Sequence, residues 1–94
     1  MYDLDVKPEA DKIFSKLAVK NPKQLMIIDK KIKEIRENPL GYKFLRKPLH
    51  GFNRVHIDNH FVLIFKVDHD KKVVDIYYFD HHDSVYKWQP KVEG

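Results

Sequence analysis

Polar and apolar residues alternate with a period of two across Tyr2, Asp3, Leu4, Asp5 and Val6, which predicts a half-buried first strand. The period then changes. Ala10, Ile13, Phe14, Leu17 and Ala18 recur at helical spacing, in an amphipathic helix that opens at Pro8 and runs to about Val19. Asn21-Pro22 places a cap residue before a residue favoured at the first helical position, so a second helix follows at once. Leu25, Ile28, Ile32 and Ile35 supply its buried stripe, and Lys30, Lys31 and Lys33 fall largely off it. Asn38-Pro39 ends this helix, because the residue before a proline disfavours helical geometry. The prediction is a helical hairpin.

After Leu40-Gly41 the chain becomes rich in β-branched and aromatic residues at alternating positions. Three strands are expected, at Phe52 to Asp58, Phe61 to Asp68 and Lys72 to Asp80, joined by Asp58-Asn59-His60 and His69-Asp70-Lys71. A parallel crossover needs roughly ten residues or more, so connections this short predict an antiparallel meander, with the helix pair on one face. Strict alternation in the last strand sets Val74, Ile76 and Tyr78 against Val73, Asp75, Tyr77 and Phe79; both faces carry apolar groups, as in a central strand. From Asp83 to Gln89, Val85, Tyr86 and Trp88 fit either a short helix or an extended tail. The expected class is α+β: an N-terminal strand, a helical hairpin, then an antiparallel three-stranded meander with a short C-terminal helix or tail, in one domain over residues 1–94.

With 43% hydrophobic and 34% charged residues the composition is that of a globular domain. The absence of cysteine removes disulfides, thiolate metal sites and cysteine nucleophiles. Met1 to Val6 has no signal-peptide character and no run approaches the roughly 18 apolar residues of a membrane helix, so a soluble, cytoplasmic protein without membrane association is expected. The net charge of +4 is concentrated: Lys20 to Lys47 holds nine basic residues against three acidic ones. Such a patch suits a polyanionic partner. Lysines that only keep a helix surface soluble are the competing reading for Lys30, Lys31 and Lys33.

Alternation places Arg54 and His56 side by side on the strand face opposite Val55 and Ile57, about 7 Å apart, a spacing suited to two groups acting around one phosphate. An ordinary solvated sheet face would look the same. The segment from Asp80 through His81, His82, Asp83, Ser84 and Val85 to Tyr86 gathers groups able to exchange protons. Turn histidines and a packing tyrosine are the plainer alternative. Metal-free RNA cleavage needs a base for the 2′-hydroxyl, an acid for the 5′-oxygen and cations for the phosphorane, and histidine, tyrosine and arginine can fill those roles. Aromatic and basic residues interleave at Tyr42-Lys43-Phe44-Leu45-Arg46 and at Phe52-Asn53-Arg54, where rings could stack on bases. A metal site finds little support. His56 and His60 straddle a predicted turn, His81 and His82 would point apart on a strand, and the carboxylates are scattered, so neither metal nor cofactor is expected. Glycine-rich phosphate loops and a nucleophile elbow are both lacking.

The order of elements and four local segments together resemble the RelE/ParE toxin superfamily, and more closely its RelE-type messenger-RNA interferases. Leu45-Arg46 with Lys47-Pro48-Leu49-His50-Gly51 is similar to the family's leucine-basic-glycine segment before the second strand. Phe52-Asn53-Arg54-Val55-His56-Ile57 resembles its aromatic-x-basic-x-basic-apolar strand, Phe61 to Val67 the strand that follows, and His81 to Tyr86 its closing histidine-basic-x-x-apolar-tyrosine segment. The resemblance implies a toxin that enters the ribosomal decoding site and cuts messenger RNA by 2′-hydroxyl attack without metal, thereby inhibiting translation. It implies a RelB-like antitoxin and a toxin–antitoxin heterotetramer. By position, Arg46, Arg54 and His56 correspond to phosphate-binding basic residues, His82 to the late basic position and Tyr86 to the closing tyrosine. His82 or Tyr86 would transfer protons, with Lys43, Lys47 and His81 helping to hold substrate.

One departure stands out: Val62 occupies the position where the family's third strand usually carries an arginine. A one-residue shift at the Asp58-Asn59-His60 turn would let His60 or Lys66 compensate. Two further readings remain, a gyrase-inhibiting toxin of the ParE type and a basic RNA-binding domain without catalysis; a plain interaction domain is a third.

Overall fold

The computed structural model describes residues 1–45, 49 and 51–90. β1 (Asp3–Val6) leads into α1 (Pro8–Lys20), and α2 (Pro22–Glu37) follows after the single residue Asn21. Asn21 serves both helices: its N–H donates to the Leu17 carbonyl at 2.8 Å, and its side-chain oxygen accepts from the Gln24 N–H at 3.2 Å. Arg36, in the last turn of α2, donates through Nε to the Tyr2 carbonyl at 2.7 Å and accepts the Tyr2 N–H at 3.0 Å, which fastens the start of β1 to the helical hairpin.

β3 (Asn53–Ile57), β4 (Phe61–Asp68) and β5 (Val73–His81) form the expected antiparallel meander. Asp58 and Asn59 both have positive φ, the left-handed pair that a tight β3–β4 turn requires and that short polar side chains tolerate. Two strands extend the meander into a sheet of order β1-β5-β4-β3-β2. β1 lies parallel to β5, with Asp3 opposite Val73 and Val6 opposite Ile76. β2 (Lys43–Phe44) is an addition that the pattern did not predict; it pairs antiparallel with β3, and the buried Asn53 amide donates to the Tyr42 and Lys43 carbonyls beside it.

The strict alternation expected along β5 is corrected by a bulge. Ile64 pairs with Tyr78 while its neighbour Phe65 pairs with Ile76, so β5 carries an extra residue at Tyr77. Phe79 thereby turns to the face of Val74 and Ile76, and Tyr77 and Tyr78 pack on the opposite one. Ala18 is likewise exposed rather than part of the buried stripe of α1.

Each face of the sheet carries a core. Under the helices, Ala10, Ile28, Ile32 and Ile35 pack on Ile57, Leu63, Phe65, Val74, Ile76 and Phe79. Beneath the C-terminal segment, Leu45, Leu49, Phe52, Val62 and Ile64 pack on Val85 and Trp88. The ambiguous tail is thus helical at first, α3 (His82–Val85), and anchored after it: the Trp88 ring stacks on Tyr78, and its Nε1 donates to Glu9 of α1 at 2.8 Å. No described helix is long and apolar enough to cross a membrane.

Candidate active site

Residues directly opposite each other in an antiparallel pair share a face. Lys43 of β2 lies opposite Arg54 of β3, and Arg54 opposite Ile64 of β4, so Lys43 and Arg54 stand together on the tail-side face. His56 lies two residues further along β3 on that face, opposite Val62, and its side chain is exposed. Tyr86, just past α3, reaches this row: the Arg54 guanidinium donates through Nη1 to the Tyr86 phenolic oxygen at 3.1 Å. The fully buried Val85 and the Trp88 ring hold the tail against the sheet, while Tyr86 keeps 45% of its surface exposed. Because the guanidinium donates to the phenolic oxygen, the phenolic proton is directed elsewhere.

His82 opens α3 at the other end of this row. Its Nδ1 lies 3.0 Å from the His60 carbonyl, which can only accept, so Nδ1 carries a proton. Its Nε2 lies 3.0 Å from Asp83 Oδ1. His82 thus has an oxygen acceptor within reach of each ring nitrogen, an arrangement suited to a group that passes a proton on. His81 uses Nδ1 to cap α3, accepting the Asp83 N–H at 3.2 Å. The expectation that His81 and His82 point apart is corrected here: β5 ends at His81 and α3 begins at His82, and this change of backbone stacks the two rings with centroids 4.5 Å apart. His60 joins them at 6.1 and 6.2 Å.

The structure therefore joins Arg54 to Tyr86, sets Lys43 and His56 on the same face, and gathers His81 and His82 with His60. Arg46 and Lys47 lie outside the described residues. The direct β3–β4 register, Ile57 opposite Phe61 and His56 opposite Val62, excludes the one-residue shift that would let His60 or Lys66 replace an arginine at Val62. Val62 is fully buried beneath the tail, and Lys66 instead sits over the Phe52 ring at 4.2 Å. Beside Arg54 in the same row of residues, burial and then the Asp80 carboxylate, to which its hydroxyl donates at 3.0 Å, push Tyr78 up to about 12. On the far side of β5, burial raises the Asp75 carboxyl above its ordinary value, and the Asp5 carboxylate holds the Lys7 ammonium above its own.

No family model matches the chain. It is 51% identical over 87 residues to a Methanocaldococcus jannaschii protein named "Putative toxin RelE4", covering 93% of each chain. Among solved structures it is similar to a chain of the RelBE2 toxin–antitoxin complex of Mycobacterium tuberculosis, at 23% identity and a TM-score of 0.71 over 86% of this chain and 98% of that one. It is also similar to a chain of the YoeB-YefM complex of Staphylococcus aureus, at 21% identity and a TM-score of 0.73 over 87% and 98%. Identities this low establish the shared fold.

Proposed function

The chain belongs to the RelE-type toxin superfamily, and on that premise we propose that it is a ribosome-dependent, metal-independent endoribonuclease that cuts messenger RNA and is silenced by a RelB-like antitoxin. The observation that carries this reading is the Arg54–Tyr86 hydrogen bond, which brings the basic strand and the proton-exchanging tail to one place. In the reaction the 2′-oxygen attacks the adjacent phosphorus and loses its proton, the bond to the 5′-oxygen breaks, and that oxygen takes up a proton. Tyr86, its oxygen facing the Arg54 guanidinium, suits the first transfer, and His82, flanked by two acceptors, suits the second. Arg54 and His56 stabilise the phosphorane, and Lys43, Arg46, Lys47 and His81 hold the flanking phosphates. With valine at position 62 in place of an arginine, this set has one cation fewer and more of the charge falls to Arg54.

An acidic antitoxin segment on the basic face would both neutralise it and lift the tail, in a toxin–antitoxin heterotetramer. The test of the activity is cell-free translation with purified protein, mapping messenger-RNA ends with and without chelator. Chelator-resistant cuts should appear only with translating ribosomes, and His82→Ala or Tyr86→Phe should slow them by roughly 10²–10⁴-fold. Intact messenger RNA with normal translation would overturn the reading and leave gyrase inhibition as the next function to assay.

A further inference from the structure

We propose that His60, His81 and His82, with the Asp83 carboxylate, form a binding site for one divalent transition-metal ion of the zinc class. One ring nitrogen from each histidine lies within 4.8 Å of the others. The carboxylate closes the set: Asp83 Oδ1 is 3.0 Å from His82 Nε2 and Oδ2 is 3.4 Å from His81 Nδ1. A tetrahedral ion with bonds of about 2.0–2.1 Å to nitrogen and oxygen has donor–donor edges of about 3.4 Å. The two Asp83 contacts run through different carboxylate oxygens and the three rings stack nearly face to face, so the exposed His60 side chain and the half-buried His81 ring have to turn to bring their lone pairs onto one ion. Imidazole and carboxylate together are the donor set of zinc, and also of nickel and copper(II), rather than of magnesium or calcium, which require oxygen ligands.

Two further features favour the lone pairs needed. His82 Nδ1 donates to the His60 carbonyl, the outer contact that fixes a metal-binding histidine in the tautomer with Nε2 open. His81 Nδ1 already presents its lone pair to a backbone N–H, which an ion would displace. The three rings also come from separate elements, the β3–β4 turn, the end of β5 and the start of α3, so an ion would tie the tail to the sheet. The ion would occupy His82 Nε2 and so suppress RNA cleavage. This consequence rests on the interferase reading; the site itself does not.

The experiment is calorimetric titration of the untagged chain with Zn²⁺ at neutral pH in the absence of RNA, with His60→Ala and His81→Ala beside it. One ion should bind per chain. Losing an outer partner of a metal costs about 10–100-fold in affinity, so each variant, which loses a ligand, should lose at least that much. Nitrogen-15 spectra should show the three imidazoles shifting together while the His56 and His69 rings stay put. Absence of saturable one-to-one binding, or affinity in both variants equal to that of the unsubstituted chain, would overturn the site. Binding as proposed with cleavage unchanged at saturating Zn²⁺ would instead overturn the role of His82 in proton transfer and leave the site standing.

Discussion

One face of the sheet is covered by two helices that share a capping residue and present a continuous apolar stripe; the other is covered by a four-residue helix and a tryptophan. The helix side buries its strand residues under long, regular elements, and among the described residues no candidate site residue lies in its core. The tail side buries just enough of the sheet to anchor Val85 and Trp88, leaving the row of Lys43, Arg54 and His56 open and setting Tyr86 over it. A short cover held at a few points opens at lower free energy than a helical hairpin, and elements that bind partners are drawn from such low-stability segments. The two cores therefore divide the work: one sets the shape, and the other positions groups that a partner can still reach.

The comparison breaks most visibly by truncation in each core. Phe65→Ala should cost about 3–5 kcal/mol and lower every probe of folding together, as read by urea denaturation. Trp88→Ala should cost about 3 kcal/mol and also release the bond to Glu9; amide exchange of the tail should rise well before that of β4. Equal exchange in both regions would mean that the tail is no less stable than the helices. Val62→Arg, which restores the residue usual in the family, should destabilise by about 3 kcal/mol without a gain in cleavage, because the charge would enter a filled apolar site.

On the helix side, Asn21→Ala should cost about 1 kcal/mol with the cleavage rate unchanged, since only the α1–α2 junction is touched. The smallest effect separates the faces by pH. Tyr78 has a folded value raised to about 12, so its contribution to stability is fully present below the ordinary tyrosine range near 10 and is lost as pH rises through about 12. Phenolate absorbance should show a late step that Tyr78→Phe removes.

Proline and asparagine made the helical half legible: Asn21-Pro22 and Asn38-Pro39 mark α2 to the residue, and the extent of β4 matches its apolar run from Phe61. The same run hid the second core. Five consecutive apolar residues, Phe61 to Phe65, carry no alternation, so nothing in them assigns Val62 and Ile64 to a face of their own. β2 was missed because two residues hold no period, and the bulge at Tyr77 because apolar groups on both faces mask an inserted residue. The histidine cluster depends on a backbone change between His81 and His82 and on a turn residue, His60, that lies 22 positions before His82 in the sequence, a convergence that spacing alone does not encode. Val85 and Trp88, three apart, were the available signal that the tail is packed.

The parallel pairing of β1 with β5 has a kinetic consequence. The first strand finds its partner only across about three quarters of the chain, from Asp3 to Val73, whereas the helical hairpin and the meander close over short loops. Closing so long a loop costs more entropy than closing a hairpin, and topology of this kind slows folding. During synthesis the early helices can form long before β1 is captured, and on refolding the amides of β1 should gain protection last. The outermost strand acts as the latch of the fold, and it engages only when the strand that carries His81 into the site has been made.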